Sequence, residues 1–294
     1  MNSPEQTEPV IEDTQTTGVP DDANDMRGYH FGRLIRTPLT LILAGALTAT
    51  AFVAGLIFVG AAIGAGAALA VLLLAIVVVF VIADNRAADD FFEVYGASRG
   101  LTLIHGRGRL PQATPLLRKG DDRYTDRTLT GPIAKGFDEG TLALFTYEEE
   151  TRDSDGDTQT NYYRYTLGLV EVPECIPFVP ELFCQRKFGL RALEKFEDVF
   201  RGDKQRVTLE SEALLDKYEI FASKEQDTNH LRQLFSPSFI VWLTDSAPEK
   251  FAFELVGGTL CCYVSGHKET AAELDAIAAA TGAVAQRLRD EALE

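Results

Sequence analysis

The sequence predicts an α+β protein: a transmembrane helical hairpin followed by a mostly antiparallel α+β domain. Three observations carry this. No charged residue occurs between Arg36 and Asp84, a gap of 47 residues. Beyond the gap, apolar residues alternate at Tyr163, Tyr165, Leu167 and Leu169, and again at Phe251, Phe253 and Leu255, which is the period of a strand. The chain then closes with His267 to Leu293, where Leu274, Ile277, Ala278, Val284 and Leu288 form an apolar stripe at helical spacing.

Composition narrows the function classes. The 294 residues carry 44 Asp and Glu against 28 Lys and Arg, a net charge of -16. A nucleic-acid binder is excluded on bulk charge, because counterion release needs a basic face. The uncharged run excludes an ordinary enzyme of uniform texture, since a globular domain does not bury such a run in one piece.

Residues 1–36 read as a disordered acidic tail. Glu5, Glu8, Glu12, Asp13, Asp21, Asp22 and Asp25 stand among Thr, Gln, Ser, Pro and Gly, with too little apolar surface to offset ordering entropy. Its end differs: Arg27, Arg33 and Arg36, with Tyr29 and Phe31, have the texture of a membrane-interface collar.

Residues 37–83 would extend about 70 Å as one helix, more than twice the ~30 Å hydrocarbon thickness. Two spans are expected, at about 39–59 and 64–83, joined by a tight turn at Gly60, Gly64 and Gly66. The first carries Gly45, Ala49, Ala54 and Gly55, which let two backbones approach; the second, Val71 to Val81, offers lipid a branched aliphatic surface. Gly60-x-x-x-Gly64 reads as the turn rather than a dimerisation motif. An acidic stretch of 36 residues ahead of the run argues against a cleaved signal peptide. Arg27, Arg33 and Arg36 flank the first span and Arg86 the second, so both termini are expected in the cytoplasm.

Residues 84–294 hold 25 Lys and Arg against 37 Asp and Glu, a net of -12. Asp84 to Tyr95 continues as a helix with Phe91, Phe92 and Tyr95 on one side, and Gly100 is its stop. Strands are expected at Leu101–Ile104, Thr141–Tyr147, through Tyr163 to Leu169, and at Phe239, Val241 and Leu243. Gly257-Gly258 signals a two-residue hairpin between Phe251–Leu255 and Leu260–Val264. Short helices are read at Ser211–Tyr218 and Asp227–Phe235, the second stopped by Pro237.

Candidate chemistry is sparse. Gly96-Ala97-Ser98-Arg99-Gly100 matches G-x-S-x-G, but a nucleophile elbow needs a strand before the serine and a helix after it, and here the order is reversed. Cys175, Cys184, Cys261 and Cys262 form no C-x-x-C knuckle, and adjacent strand positions point to opposite faces. Asp153-Ser154-Asp155-Gly156-Asp157 lacks the spacing and the closing Glu of a calcium loop. His30, His105, His230 and His267 show no i, i+4 pairing. No metal or cofactor is implied.

One local anomaly remains. Arg107, Arg109, Arg118, Lys119, Arg123 and Arg127 stand against Asp121, Asp122 and Asp126, a local +3 in an acidic domain. Pro111, Pro115 and Gly120 make the stretch loop-like. Lying some twenty residues past the membrane, Arg107, Arg109, Arg118, Lys119 and Arg123 are candidates for contact with anionic lipid headgroups.

The order of several blocks resembles a known family. Gly120-Asp121-Asp122-Arg123, Leu144-Phe145-Thr146-Tyr147, Leu209-Glu210-Ser211-Glu212 and Phe235-Ser236-Pro237 through Trp242-Leu243, behind a two-helix anchor, look like a family of bacterial membrane proteins of uncharacterised activity, common in actinobacteria. The resemblance covers roughly residues 38–290; it implies a membrane location and an α+β domain, and no activity. The expected function is a membrane-anchored cytoplasmic binding or scaffolding domain, with the lipid bilayer and an unidentified protein as partners. The alternative is a membrane-associated hydrolase with a carboxylate-based site.

Overall fold

The structure, a computed structural model, describes residues 46–50, 53, 61–152, 156–187 and 204–293. Its first long element, α1, is a single helix over Ala61–Arg99. The expected second span and the expected Asp84–Tyr95 helix are therefore one rod, and Gly64 and Gly66 lie inside it instead of in a turn. From Leu69 onward it is long and apolar enough to cross a membrane. Of the expected first span, residues 46–50 and 53 are helical; its remainder, the acidic tail and Asp153–Asp155 lie outside the described residues.

The rod changes environment along its length. Leu69, Leu73, Leu74, Val77 and Phe80 are 54–63% exposed, whereas Ala83, Ala87, Phe91 and Tyr95, spaced four apart, are at most 2% exposed. That spacing places the second set on one helical face, with Ala88 and Phe92 beside it. The helix ends as the glycine suggested. Gly100 adopts φ +70, and Leu101 N–H donates to Gly96 O at 2.8 Å, the six-to-one bond of a Schellman cap.

Nine strands follow among the described residues: β1 Thr102–Ile104, β2 Asp122–Gly131, β3 Gly140–Arg152, β4 Thr158–Glu171, β5 Glu181–Arg186, β6 Lys204–Val207, β7 Tyr218–Ser223, β8 Ala252–Val256 and β9 Thr259–Ser265. They form one sheet in the order β1-β2-β3-β4-β9-β8-β5-β7-β6, and every neighbouring pair is antiparallel. The β8–β9 hairpin turns at Gly257 and Gly258, with φ +57 and +87, the two left-handed residues that a primed turn needs.

The helices are α2 Pro115–Arg118, α3 Glu212–Lys217, α4 Thr228–Leu234, α5 Pro237–Val241 and α6 Ala271–Leu293. One face of the sheet packs on α1, α6 and the α3–α5 region around Phe91, Leu142, Leu182, Tyr218, Leu260 and Ile277. The opposite face carries a smaller core of Phe145, Tyr147, Tyr165, Leu167, Ala252, Cys261 and Tyr263, covered by Leu116 and Leu117 of α2. Cys261 and Cys262 accordingly enter different cores, as adjacent strand positions must.

Two further expectations are corrected. Phe239, Val241 and Leu243 are not a strand: they lie in α5 and the wide helical turn Trp242–Ser246. Ser236 caps this start, its hydroxyl accepting from Phe239 N–H at 3.5 Å, and Pro237 occupies the first turn. Phe239 and Leu243 are buried while Val241 is 57% exposed, so the apparent alternation was one face of a helix. The stretch at 107–127, expected as a loop, ends in β2. Strands β5, β6 and β7 carried no expectation; β7 alternates buried and half-buried, a weak signal beside α3.

Candidate functional site

Residues 105–121 form a strap that leaves the sheet edge and crosses the face opposite the helices. It starts with Gly108 paired to Thr125, N–H to O at 3.1 Å and the return bond at 2.9 Å. It then drops Pro115, Leu116 and Leu117 into the smaller core and rejoins the sheet at Asp121, whose N–H donates to Glu148 O at 2.8 Å.

The strap sorts the five basic candidates. Lys119 is fully buried, so it is removed from any surface set. Arg118 is exposed, but its guanidinium closes the strap on itself, Nε donating to Gln112 O at 2.7 Å and Nη2 to Ala113 O at 2.9 Å. Arg123 is half-buried and donates to the Arg118 carbonyl. Arg107 and Arg109 are exposed, the first stacked 4.0 Å over the Tyr124 ring and the second 3.7 Å from Asp122. Sequence alone could not separate these roles, because a Lys covered by tertiary packing reads like any other in a charged stretch.

Beneath the strap lies a buried group of titratable side chains. Glu254, in the middle of β8, is fully buried. Its Oε2 accepts from Leu116 N–H at 2.9 Å and its Oε1 lies 3.4 Å from the Tyr263 hydroxyl. Burial holds its carboxyl above the ordinary range, opposed by the Leu116 hydrogen bond and by the nearby Lys119 and Lys204 cations. Burial likewise pushes the Lys119 ammonium down to about 8, with Glu254 and Glu149 pulling the other way. The arrangement is a charged strut pinning the strap to the sheet. Sequence reasoning missed Glu254; the signal was a lone Glu at the centre of an otherwise apolar strand.

Two open clefts lie elsewhere, and Glu254 lines neither. One runs between the strap and the ends of β3 and β4, past Leu117, Thr141, Leu169 and Glu171. The other lies between the end of α1, the 132–136 loop and α6, and contains Tyr95, Arg99 and Asp275. Hydrogen bonds from Arg99, and then from Tyr95, hold the Asp275 carboxyl below its ordinary range, the state of a structural anion rather than a proton donor.

The remaining candidates have structural partners. Ser98 donates to Tyr95 O at 2.8 Å in the last turn of α1, with strand β1 after it, the order expected from the sequence. His267 Nε2 lies 3.3 Å from Phe145 O and 3.2 Å from Thr146 Oγ1. Thr146 in turn donates to Asp126 Oδ2 at 3.1 Å, so its proton is committed away from the imidazole and it is no activated nucleophile. All four cysteines are free and buried. Among the described residues no three His, Cys, Asp or Glu converge as a metal requires. Comparison of the chain with protein-family models, with curated proteins and with solved structures finds no match.

Proposed function

We propose that this chain is a membrane-tethered binding or scaffolding domain: a helical hairpin over residues 37–83, both termini cytoplasmic, carrying the α+β domain at the inner leaflet, in the manner of the bacterial membrane family that its block order resembles. One observation carries the reading. The same helix that exposes Leu69 to Ile82 buries Ala83, Ala87, Phe91 and Tyr95 in the core, so the domain begins where the apolar surface ends, with no flexible linker between them. Such a mount fixes height and orientation, which serves a platform for partners.

The hydrolase alternative rests on Glu254, the fully buried carboxylate described above. Its burial under the strap, outside the lining of the two clefts described above, favours binding over catalysis. The test is topological. The chain should stay with membranes after alkaline carbonate extraction, and reporters fused before Arg27 and after Glu294 should both read cytoplasmic; a periplasmic or extracellular signal at either end defeats the hairpin.

A further inference from the structure

We infer that the β1–β2 edge, through Arg107 and Arg109, rests on anionic headgroups of the bilayer that α1 crosses; this builds on the tethering reading above. The argument is one of height along α1. Arg127 Nη2 donates to Asn85 O at 3.2 Å and pairs with Asp89 Oδ1 at 3.0 Å. Farther along, a Cβ placed on Gly96 would lie 2.8 Å from the Leu129 side chain, and one on Gly131 would lie 3.0 Å from Gly100 O. Strand β2 therefore climbs beside α1 away from the membrane, with residue 129 level with 96 and residue 131 level with 100, while the Arg127 side chain reaches back toward 85–92.

It follows that the start of β2 lies on the bilayer side of Arg127. Leu129, level with Gly96, stands ~20 Å past Ala83 along the helix, at ~1.5 Å per residue. Thr125 is four strand residues nearer the bilayer than Leu129, ~13 Å along the strand, and so ~7 Å past Ala83. The headgroup layer is ~5–8 Å deep on each side of the hydrocarbon. The first residues of β2, and the edge segment that Gly108 pairs to Thr125, reach that layer.

Charge at this level favours the edge over the strands behind it. Arg107 and Arg109 are both exposed, and the Arg109 side chain is 81% exposed even beside Asp122. The acidic groups nearby are engaged within the protein. Asp121 Oδ2 accepts Glu150 N–H at 2.8 Å, Asp122 Oδ1 accepts Arg123 N–H at 2.8 Å, and Asp126 holds Thr146. Glu148, Glu149 and Glu150 lie one strand inward on β3, where an anionic surface repels them. Together these charges favour a tilt of α1 that brings the β1–β2 edge to the lipid and lifts the β3–β4 hairpin from it. Arg118, bonded to its own strap, and Lys119, buried, take no part.

The experiment uses the full chain in nanodiscs of zwitterionic phosphatidylcholine, or of equal phosphatidylcholine and phosphatidylglycerol, at ~20 mM and ~300 mM salt, with amide exchange read over residues 102–112. In the anionic discs at low salt, exchange over this segment should slow at least about fivefold, the contribution of one arginine near an anionic surface, and the difference should vanish at high salt. The pair Arg107→Glu and Arg109→Glu should abolish the lipid dependence, whereas Arg118→Gln should leave it intact. A chain that inserts but exchanges identically in both discs overturns this contact alone, as does protection that survives the double reversal. A chain that fails to insert overturns the tethering reading and this contact with it.

Discussion

Arg99 and Asp275 form a two-pronged ion pair, Nε to Oδ1 at 2.6 Å and Nη2 to Oδ2 at 2.5 Å, that ties the end of α1 to the first turns of α6. The same carboxylate accepts the Tyr95 hydroxyl at 2.9 Å. The helix that leaves the apolar stretch is thus clamped to the last helix of the domain by groups 176 residues apart in sequence.

Asp275→Ala should cost about 1–3 kcal/mol, because it strands the buried Tyr95 hydroxyl. The partly exposed ion pair itself contributes at most about 1 kcal/mol, so Asp275→Asn, which keeps an acceptor, should cost less. The sign with pH follows from a carboxyl held below its ordinary value in the folded state. Its contribution is present above the unfolded carboxylate pKa, ~3.9, and is lost as pH falls through the folded value. Thermal melts of the detergent-solubilised chain at pH 7 and at acid pH compare the variants.

The Lys119 ammonium under the strap gives a pH dependence of the same sign in the alkaline range, and the Glu254 carboxyl beside it one of the opposite sign. Lys119, pushed down to about 8, is depressed below its unfolded value of ~10.4, so the unfolded chain holds more protons between those two values. Stability should rise with pH across that window, and Lys119→Met should remove the rise. Glu254 is raised, so its contribution is fully present below the unfolded pKa, ~4.3, and is lost as pH rises through its folded value.

At neutral pH, Lys119→Met alone should destabilise by up to about 3 kcal/mol, because it removes one of the two cations, with Lys204, that oppose the desolvation of Glu254. Adding Glu254→Gln, which keeps an acceptor for Leu116 N–H, should recover most of that loss. Denaturation midpoints of the two single variants and the double variant form the cycle; simple additivity would show that the two charges do not interact.

Gly168 of β4 sits directly under α6, and a Cβ there would lie 2.3 Å from Thr281 Oγ1. Gly168→Ala should therefore cost about 1–3 kcal/mol by overpacking. Thr281→Ala in the same chain should relieve most of it, since it removes the clashing hydroxyl at the loss of a bond to Ile277 O in its own helix. Equal melting temperatures for the single and double variants would show that α6 shifts to make room.

Ser98 should remain unlabelled by a fluorophosphonate probe. Its hydroxyl donates to Tyr95 O and accepts from Arg99 Nη1 at 2.8 Å, an arrangement that offers no base to take its proton. Stoichiometric labelling lost in Ser98→Ala would reverse that assignment.

Several elements were legible in the sequence by itself because they rest on interactions a few residues apart. The apolar helix running to a stop at Gly100 follows from charge exclusion, 3.6-residue spacing and a left-handed glycine. The hairpin at Gly257-Gly258, the β4 alternation, the opposite faces of Cys261 and Cys262, and the stripe of α6 follow from equally local periods. Tertiary structure alone decided the rest. Phe239, Val241 and Leu243 fit two periods over so few residues, and the Ser236 cap settled which one held. Strand order, and with it the level of the β1–β2 edge on α1, depends on pairings far apart in sequence that no local pattern encodes. The same is true of Lys119: its charge was plain in the sequence, but whether it met water or Glu254 was set by a strap docking on a strand 135 residues away, where burial and a countercharge outweigh any local preference.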